Sequence, residues 1–475
     1  MGTINSALSV MSGALDADQA GLSVVANNVA NANTTGYTTE TPDWQENAPI
    51  SIGGISIGDG VTETGATSQR DRVLEQRLDQ QQQMASASST RLTALDNIQA
   101  LFTPDSGSSS ATAGDIGSDI TSFFDSFSSL ESDPTDNALR EQVLSSASTL
   151  AGDISSAANS LNAQSAALDQ SASGVVSQVN SLTGAIAQLN LQIQSISPDA
   201  DAGTLEDQRQ QDLSQLSQLI GINQVTTENN GLSITTTSGQ LLVSQGQNFQ
   251  LTSGTVNGAT DFFLGGADIT SELASGGGQL GGYLTARNQD LPNALDSLDQ
   301  LAYNISTAVN AQNNTGTDLD GATGTVANPL YIFNQPAVGA VAESAANMSV
   351  VMIDPNQIAA ASMGKGTGDN SNAASLAGLA NETIVNTQSP IDYYSNFVST
   401  LGSTVSGVQT ENTAQNASVT QLQTQNNALS SVNLNDEAAA MSTLESSYQA
   451  ASQVFTLLNT IMASALNLGE ETTVS

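Results

Sequence analysis

Apolar residues recur at helical spacing at both ends of this chain, and that pairing constrains the fold more than any other feature. Near the start the positions are Ile4, Leu8, Met11, Leu15, Leu22, Val25 and Val29; near the end they are Met441, Leu444, Tyr448, Ala451, Phe455, Leu458, Met462 and Ala465. Steps of three and four place each set on one stripe of a helix, and their alternation suits a coiled-coil seam. A single helix of this length is marginal in water, so each stripe needs a partner. The nearest partner is the other terminus, or that of another copy. The termini then form the assembly element, unordered in a monomer, and the middle of the chain is displayed outward.

With 475 residues, 38% of them hydrophobic, the chain can bury several cores, and three or four domains are expected. The net charge of -38, from 46 acidic and 8 basic groups, argues against nucleic acid and against anionic membrane surfaces. It reflects either a surface solubilised by Ser, Thr, Gln and Asn or an acidic or saline medium. Cysteine and histidine are absent, which excludes disulfides, thiolate chemistry and the usual triads. The acidic loops at 318–324 and 367–375 lack the spacing that ends in a twelfth-position Glu. We therefore expect no enzyme, cofactor or metal. No apolar run approaches the roughly 18 residues of a membrane span. The opening segment has no basic stretch and holds Asp16 and Asp18 within its helical pattern, so it does not read as a cleaved leader.

Along the chain, NNVANANTTGY at 27–37 suits a helix end followed by turns. Tyr37 and Trp44 in the polar stretch beyond it are positioned to anchor an extended segment, and 50–69 reads as short strands. Helical spacing returns at Leu74, Leu78, Ala85, Leu92, Leu95 and Phe102. After a Gly/Ser/Asp loop at 103–117 it resumes at 122–130 and from Asn137. A long run then passes from Leu168 to Ile196 and stops at Pro198. The texture changes after Gly221: alternating β-branched residues punctuated by Gly predict hairpins. Helix returns over 279–310. The segment 311–375 is looser, with a strand entering a Pro turn and a helix start at 349–362. A last helical run shows Val398, Leu401, Val405, Val408, Val419, Leu422 and Leu429. Asn412, Gln415 and Asn426 sit in its seam, either fixing register or leaving it wet.

These readings give a multidomain, mainly α chain with β-rich outer domains. Residues 1–36 and 430–475 form paired, coiled-coil-like terminal helices. An elongated helical bundle covers 37–220 and 376–429, a β-rich domain 221–278, a helical return 279–310, and an outer loop and β-containing domain 311–375.

The opening ALSVMSGALDADQAGLSVVANNVANANTTGY, with Ala26, Asn27, Asn28, Asn31, Gly36 and Tyr37, resembles the amino-terminal motif of axial flagellar rod, hook and hook-associated proteins. VNSLTGAIAQLNLQI at 179–193, GGQLGGYLTARNQDLPNALDSLDQLA at 277–302, and the stretches at 353–362 and 368–379 are similar to the FlgK family of hook-associated junction proteins. So is the closing VNLNDEAAAMSTLESSYQAASQVFTLLNTIM. There Asn433, Leu434, Glu437, Tyr448, Gln449 and Ala450 match, while Leu444 and Glu445 stand where that family usually has Tyr-Gln. The resemblance implies a structural subunit between hook and filament, exported by the flagellar type III apparatus without a cleaved signal. It implies as partners the hook protein, a second, filament-side hook-associated junction protein, further copies in a helical array, and an export chaperone on the carboxyl-terminal helix within 441–468. The expected assembly residues are Leu8, Met11, Leu15, Leu22, Val25, Asn27, Asn28, Tyr448, Phe455, Leu458 and Met462; all but Asn27, Asn28 and Tyr448 are equally suited to an intrachain core. Two alternatives remain: another axial protein of hook or rod type, or a secreted surface adhesin or layer protein. The second would lack matched helical stripes at the two ends.

Overall fold

The computed structural model describes residues 2–470 apart from 53–54, 103–114, 197–200, 229 and 257. Pro198 and most of the loop expected at 103–117 lie outside the described residues. The fold is mixed α/β, with long terminal helices, long internal helices and small antiparallel sheets between them. In order, helix α1 (Gly2–Asn31) leads to strands β1 (Glu40–Glu46), β2 (Ile50–Ile52), β3 (Ile55–Ile57) and β4 (Val61–Ser68). Strand β1 pairs with β4, with a bulge at Asp43 and Trp44. Helices α2 (Arg72–Ala100), α3 (Ile116–Ser132), α4 (Asn137–Ile196) and α5 (Thr204–Leu219) follow. The 60 residues of α4 reach about 90 Å at 1.5 Å per residue. Two helix starts are set by carboxylate caps: Asp71 accepts from the amides of Val73 and Leu74, and Asp115 from that of Ser118.

The hairpins expected after Gly221 are present. A four-stranded antiparallel sheet is formed by β5 (Ile222–Thr226), β6 (Leu232–Thr236), β7 (Leu241–Ser244) and β8 (Gln247–Asn248). A three-stranded sheet follows from β9 (Leu251–Val256), β10 (Ala259–Leu264) and β11 (Ala267–Asp268). Two asparagines on α4 dock these sheets much as a neighbouring strand would. Asn180 exchanges bonds of 2.8 and 2.9 Å with the backbone of Leu251, and Asn190 donates to the carbonyls of Leu232 and Gln245. Helices α6 (Thr270–Gly276) and α7 (Gly278–Thr285) run through a π-helical turn at Ala286–Asp290 into α8 (Leu291–Asn314).

Residues 315–389 contain little regular structure: the two-residue strands β12 (Gly316–Thr317) and β13 (Ala361–Ser362) pair, and α9 (Ser371–Gly378) is short. What orders this stretch is again asparagine. Asn310 of α8 accepts from the amides of Ile332 and Phe333 and donates to the Phe333 carbonyl. Asn313 donates to Leu330 and accepts from Ala359. Both are fully buried, so each satisfies backbone groups that no ladder reaches. The helix start expected after the Pro turn within 349–362 does not form. Pro355–Gln357 is a single 3₁₀ turn, and the carbonyls of Pro355, Asn356 and Ile358 point to the Arg140 guanidinium. An α-helix would need such carbonyls to accept from amides farther along the chain.

The last helices are α10 (Pro390–Ser430) and α11 (Leu434–Glu470). Helix α10 lies along α2, with Leu401 and Val408 buried and Val405, Val419 and Leu422 half-buried. Leu429, expected in this stripe, is 52% exposed, as is Ile196 (70%) at the end of the α4 stripe. Each lies in the last turn of its helix, past the packed length. Two of the three polar seam positions meet polar partners: Asn412 accepts from Ser88 at 3.3 Å, and Gln415 pairs with Gln81, whereas the buried Asn426 Oδ1 has no hydrogen-bond partner among the described residues.

Two separate hydrophobic cores result. One gathers Phe123, Phe124 and Phe127 of α3, the first half of α4, α8, α10 and Phe333. The other gathers the second half of α4, α5, both sheets, α6 and α7. The change of core falls between Leu168 and Ala172 on α4 and between Leu284 and Ala286 at the π turn. Arg287, in that turn, bonds to Asp169 at 2.6 Å and to the Thr260 carbonyl and lies 3.6 Å from Asp261. One guanidinium thus ties α4, the π turn and β10 where the cores meet.

Candidate assembly surface

Helices α1 and α11 pack against each other in opposite directions: Asn28 meets Glu437, Gly21 meets Leu444, and Val10 and Met11 share a groove with Val454 and Leu458. Of the positions expected to mediate assembly, Val25 is buried, and Leu8, Met11, Leu15, Leu22, Phe455, Leu458 and Met462 are half-buried. Asn27 and Tyr448 are exposed. Sequence reasoning left the termini unordered before assembly. In the single chain both helices are formed and packed, because each covers the other's stripe. A second apolar row on α11, Val454, Leu457 and Ile461, stays exposed at 43%, 59% and 45%.

The sequence stripes missed a close approach at Gly21. A Cβ on Gly21 would sit 3.1 Å from Leu444 and 3.2 Å from the Trp44 ring, so the missing side chain is what lets α11 and β1 meet α1 there. Leu444 is buried. A glycine inside an otherwise good helical pattern was the available signal.

Asn28 is the polar pivot at the foot of this pair. Its amide donates to the Glu40 carbonyl at 2.8 Å and to Glu437 at 3.1 Å. Its oxygen accepts from the Tyr37 hydroxyl at 2.7 Å and the Glu40 amide at 3.0 Å. One 1%-exposed side chain therefore joins α1, the start of β1 and α11. Burial first, and then the carboxylates of Glu40, Asp207 and Glu437, push the Tyr37 hydroxyl far up, keeping it a donor. Gly36 turns the chain at φ +82°, as its place after the Asn-rich helix end predicted.

Below the pivot, charge fastens the terminal pair to the bundle. Arg70 bonds to Asp207, which also accepts from the Thr38 amide at 3.1 Å. Arg72 bonds to the buried Glu206 at 2.9 Å, and Asp201 accepts from the Ser68 amide at 2.6 Å. A polar cleft of about 600 Å³ opens between the end of α1, α2, α5 and the end of α10. Two carboxyls on its wall are raised chiefly by burial: Glu75 to about 7 and Asp79 to about 6. In the bundle, Asp119 reaches about 7 through burial and then its neighbour Asp153. Folding therefore takes up protons between the ordinary carboxylate range and neutrality. These groups cost nothing below the ordinary carboxylate range, and each destabilises increasingly as pH rises from there to its folded value, above which the cost is constant. The shift of Glu75 bounds its cost at roughly 3 kcal/mol, and self-repulsion of the net charge acts in the same direction. The melting temperature should be higher at pH 5.5 than at pH 8, and Glu75→Gln with Asp79→Asn should narrow the gap. A higher melting temperature at pH 8 would contradict this reading.

Among the described residues, no group of three or more acidic, His or Cys side chains is placed to hold a metal ion, and no helix is long and apolar enough to cross a membrane.

Comparison with known proteins gives consistent matches. Residues 105–326 match the family described as flagellar hook-associated protein FlgK helical domain, and residues 8–38 match the flagella basal body rod protein family. Flagellar hook-associated protein 1 of Escherichia coli (strain K12) is 25% identical over 98% of this chain and 99% of its own length. The protein of that name from Bacillus subtilis (strain 168) is 26% identical over 96% of each. The structure of the flagellar hook junction protein FlgK from Burkholderia pseudomallei superposes with a TM-score of 0.64 at 19% identity, covering 74% of this chain and 99% of that one.

Proposed function

The chain belongs to the flagellar hook-associated protein FlgK family, and on that premise we propose how its terminal helices build the junction between hook and filament. It is a structural subunit of the flagellum, acting through contacts between subunits rather than by catalysis. The observation that carries the mechanism is the α1–α11 pair: one apolar stripe of α11 is spent on α1, and a second, through Val454, Leu457 and Ile461, is open. A neighbouring copy that covers the open row buries apolar area on a preformed surface. If the row meets a different surface of the next copy, the contact is heterologous and propagates as a helical layer instead of closing into a dimer. In that layer the terminal helices act as a coiled-coil-like inner lining, with the sheets and the 311–375 segment facing outward.

The same open row suits an export chaperone before assembly, since an amphipathic helix lies naturally in a groove. Hook protein on one side and a second hook-associated junction protein on the other complete the set of partners. Export through the flagellar type III apparatus to the cell exterior is in keeping with a chain free of cysteine crosslinks.

A deletion strain of the source bacterium is expected to build hooks without filaments and to lose flagellin to the medium. Complementation by the full chain should restore filaments, and a chain lacking 441–475 should not. Normal filaments in the deletion strain would sink the junction role.

A further inference from the structure

A cleft of about 420 Å³ lies between α2, the π turn, α8 and α10, with no lining residue from the terminal pair and unused by the assembly mechanism. Its volume falls in the range of small-molecule sites. Tyr393 and Phe397 supply aromatic surface on the α10 side. On the opposite side, Asp290 holds Arg91 through two bonds of 2.8 Å, from Nε and Nη2. That pairing cancels the charge within the cleft, so the lining is neutral in a chain of net charge -38. The site therefore offers little to a simple anion, and its one carboxylate is already spent on a guanidinium. The amides of Gln289, Asn293 and Asn396 also line it. None of the three makes a side-chain hydrogen bond to another described residue. The π turn is what brings Gln289 and Asp290 here, and such turns recur at functional sites because they re-aim side chains out of helical register.

We propose that this cleft binds a neutral saccharide of one or two rings. The chemistry matches on each count. An aromatic ring takes the apolar face of a sugar, uncharged amides both donate to and accept from hydroxyls, and Arg91 Nη1 adds a donor. The position makes such a ligand a bridge between α10 and the π turn at the meeting of the two cores.

The test is saturation-transfer NMR and calorimetry on the full chain with maltose, cellobiose, N,N′-diacetylchitobiose and the anionic galacturonic acid as probes. At least one neutral disaccharide should bind. Asn293→Ala with Asn396→Ala should weaken it at least tenfold with an unchanged melting temperature; both positions are exposed. Gln289→Ala, also exposed, provides an independent second variant and should weaken binding in the same direction. No binding of any neutral probe, preference for galacturonic acid, or binding indifferent to all three amides would overturn the proposal.

Discussion

Replacing Gly21 with leucine is expected to abolish filament assembly in a deletion strain while leaving the internal bundle folded. Residue 21 is where α1, α11 and β1 converge, and even a methyl group there would stand 3.1 Å from Leu444 and 3.2 Å from the Trp44 ring. Overpacking of this kind costs on the order of 1–3 kcal/mol in a core that can adjust. Here the structure at risk is a pair of helices that depend on each other for cover, so the same cost has a larger effect. Both α11 and Trp44 must move, which displaces the Asn28–Glu437 contact one helical stretch away. Gly21→Ala is the control. Its tight contacts oppose a helix-propensity gain of about 1 kcal/mol, so it should assemble nearly normally. Motility and electron microscopy of the complemented strain, with circular dichroism of purified protein, separate the outcomes. Filaments of normal number and length from Gly21→Leu would show that the close approach is dispensable.

Arg140→Met should destabilise the chain by about 3 kcal/mol, since hydrogen bonds from a charged group and the buried carbonyls left without them are each worth roughly 1–3 kcal/mol. Arg140 is 1% exposed. Its Nε and Nη2 donate to the Pro134 carbonyl, at 2.9 and 2.6 Å, and its Nη1 donates to the carbonyls of Pro355, Asn356 and Ile358. Methionine fills much of the volume but leaves buried carbonyls without donors, and that desolvation penalty dominates. Because the lost bonds tie the α3–α4 turn to residues 355–358, proteolysis should reach the 311–375 segment first. A melting temperature within a degree or so of the parent would contradict the role given to this side chain.

Charged and amide side chains of this kind were the least legible in the sequence. Six of the seven arginines are fixed by bonds to other segments: Arg70 to Asp207, Arg72 to Glu206, Arg91 to Asp290, Arg287 to Asp169, Arg209 to Asn190 and the Asn230 carbonyl, and Arg140 to backbone. Their scarcity was visible, but their partners lie over a hundred residues away in most cases, and no local pattern encodes such a pairing. Asn180, Asn190, Asn310 and Asn313 read as ordinary polar positions in helical runs. Their burial depends on which unpaired strand edge or loop comes to rest on the helix. The same holds for the cleft at the π turn, whose lining comes from three helices far apart in the chain.

The sequence by itself determined the elements whose signal is periodic: the two terminal stripes, the α4 stripe from Leu168 to Ile193, and the hairpins after Gly221. Spacing of apolar residues is a local property, and it survives whatever the rest of the chain does. Its family motifs likewise carried the assignment to the flagellar junction. Only the tertiary structure decided that α1 covers α11 within one chain, that Gly21 sets their distance, and that an arginine takes the carbonyls where a helix was expected after Pro355. It also decided that the 311–375 segment shares its core with α3 and α8. Each of these depends on which surfaces meet, and helical periodicity fixes which face of an element is apolar without specifying what will cover it.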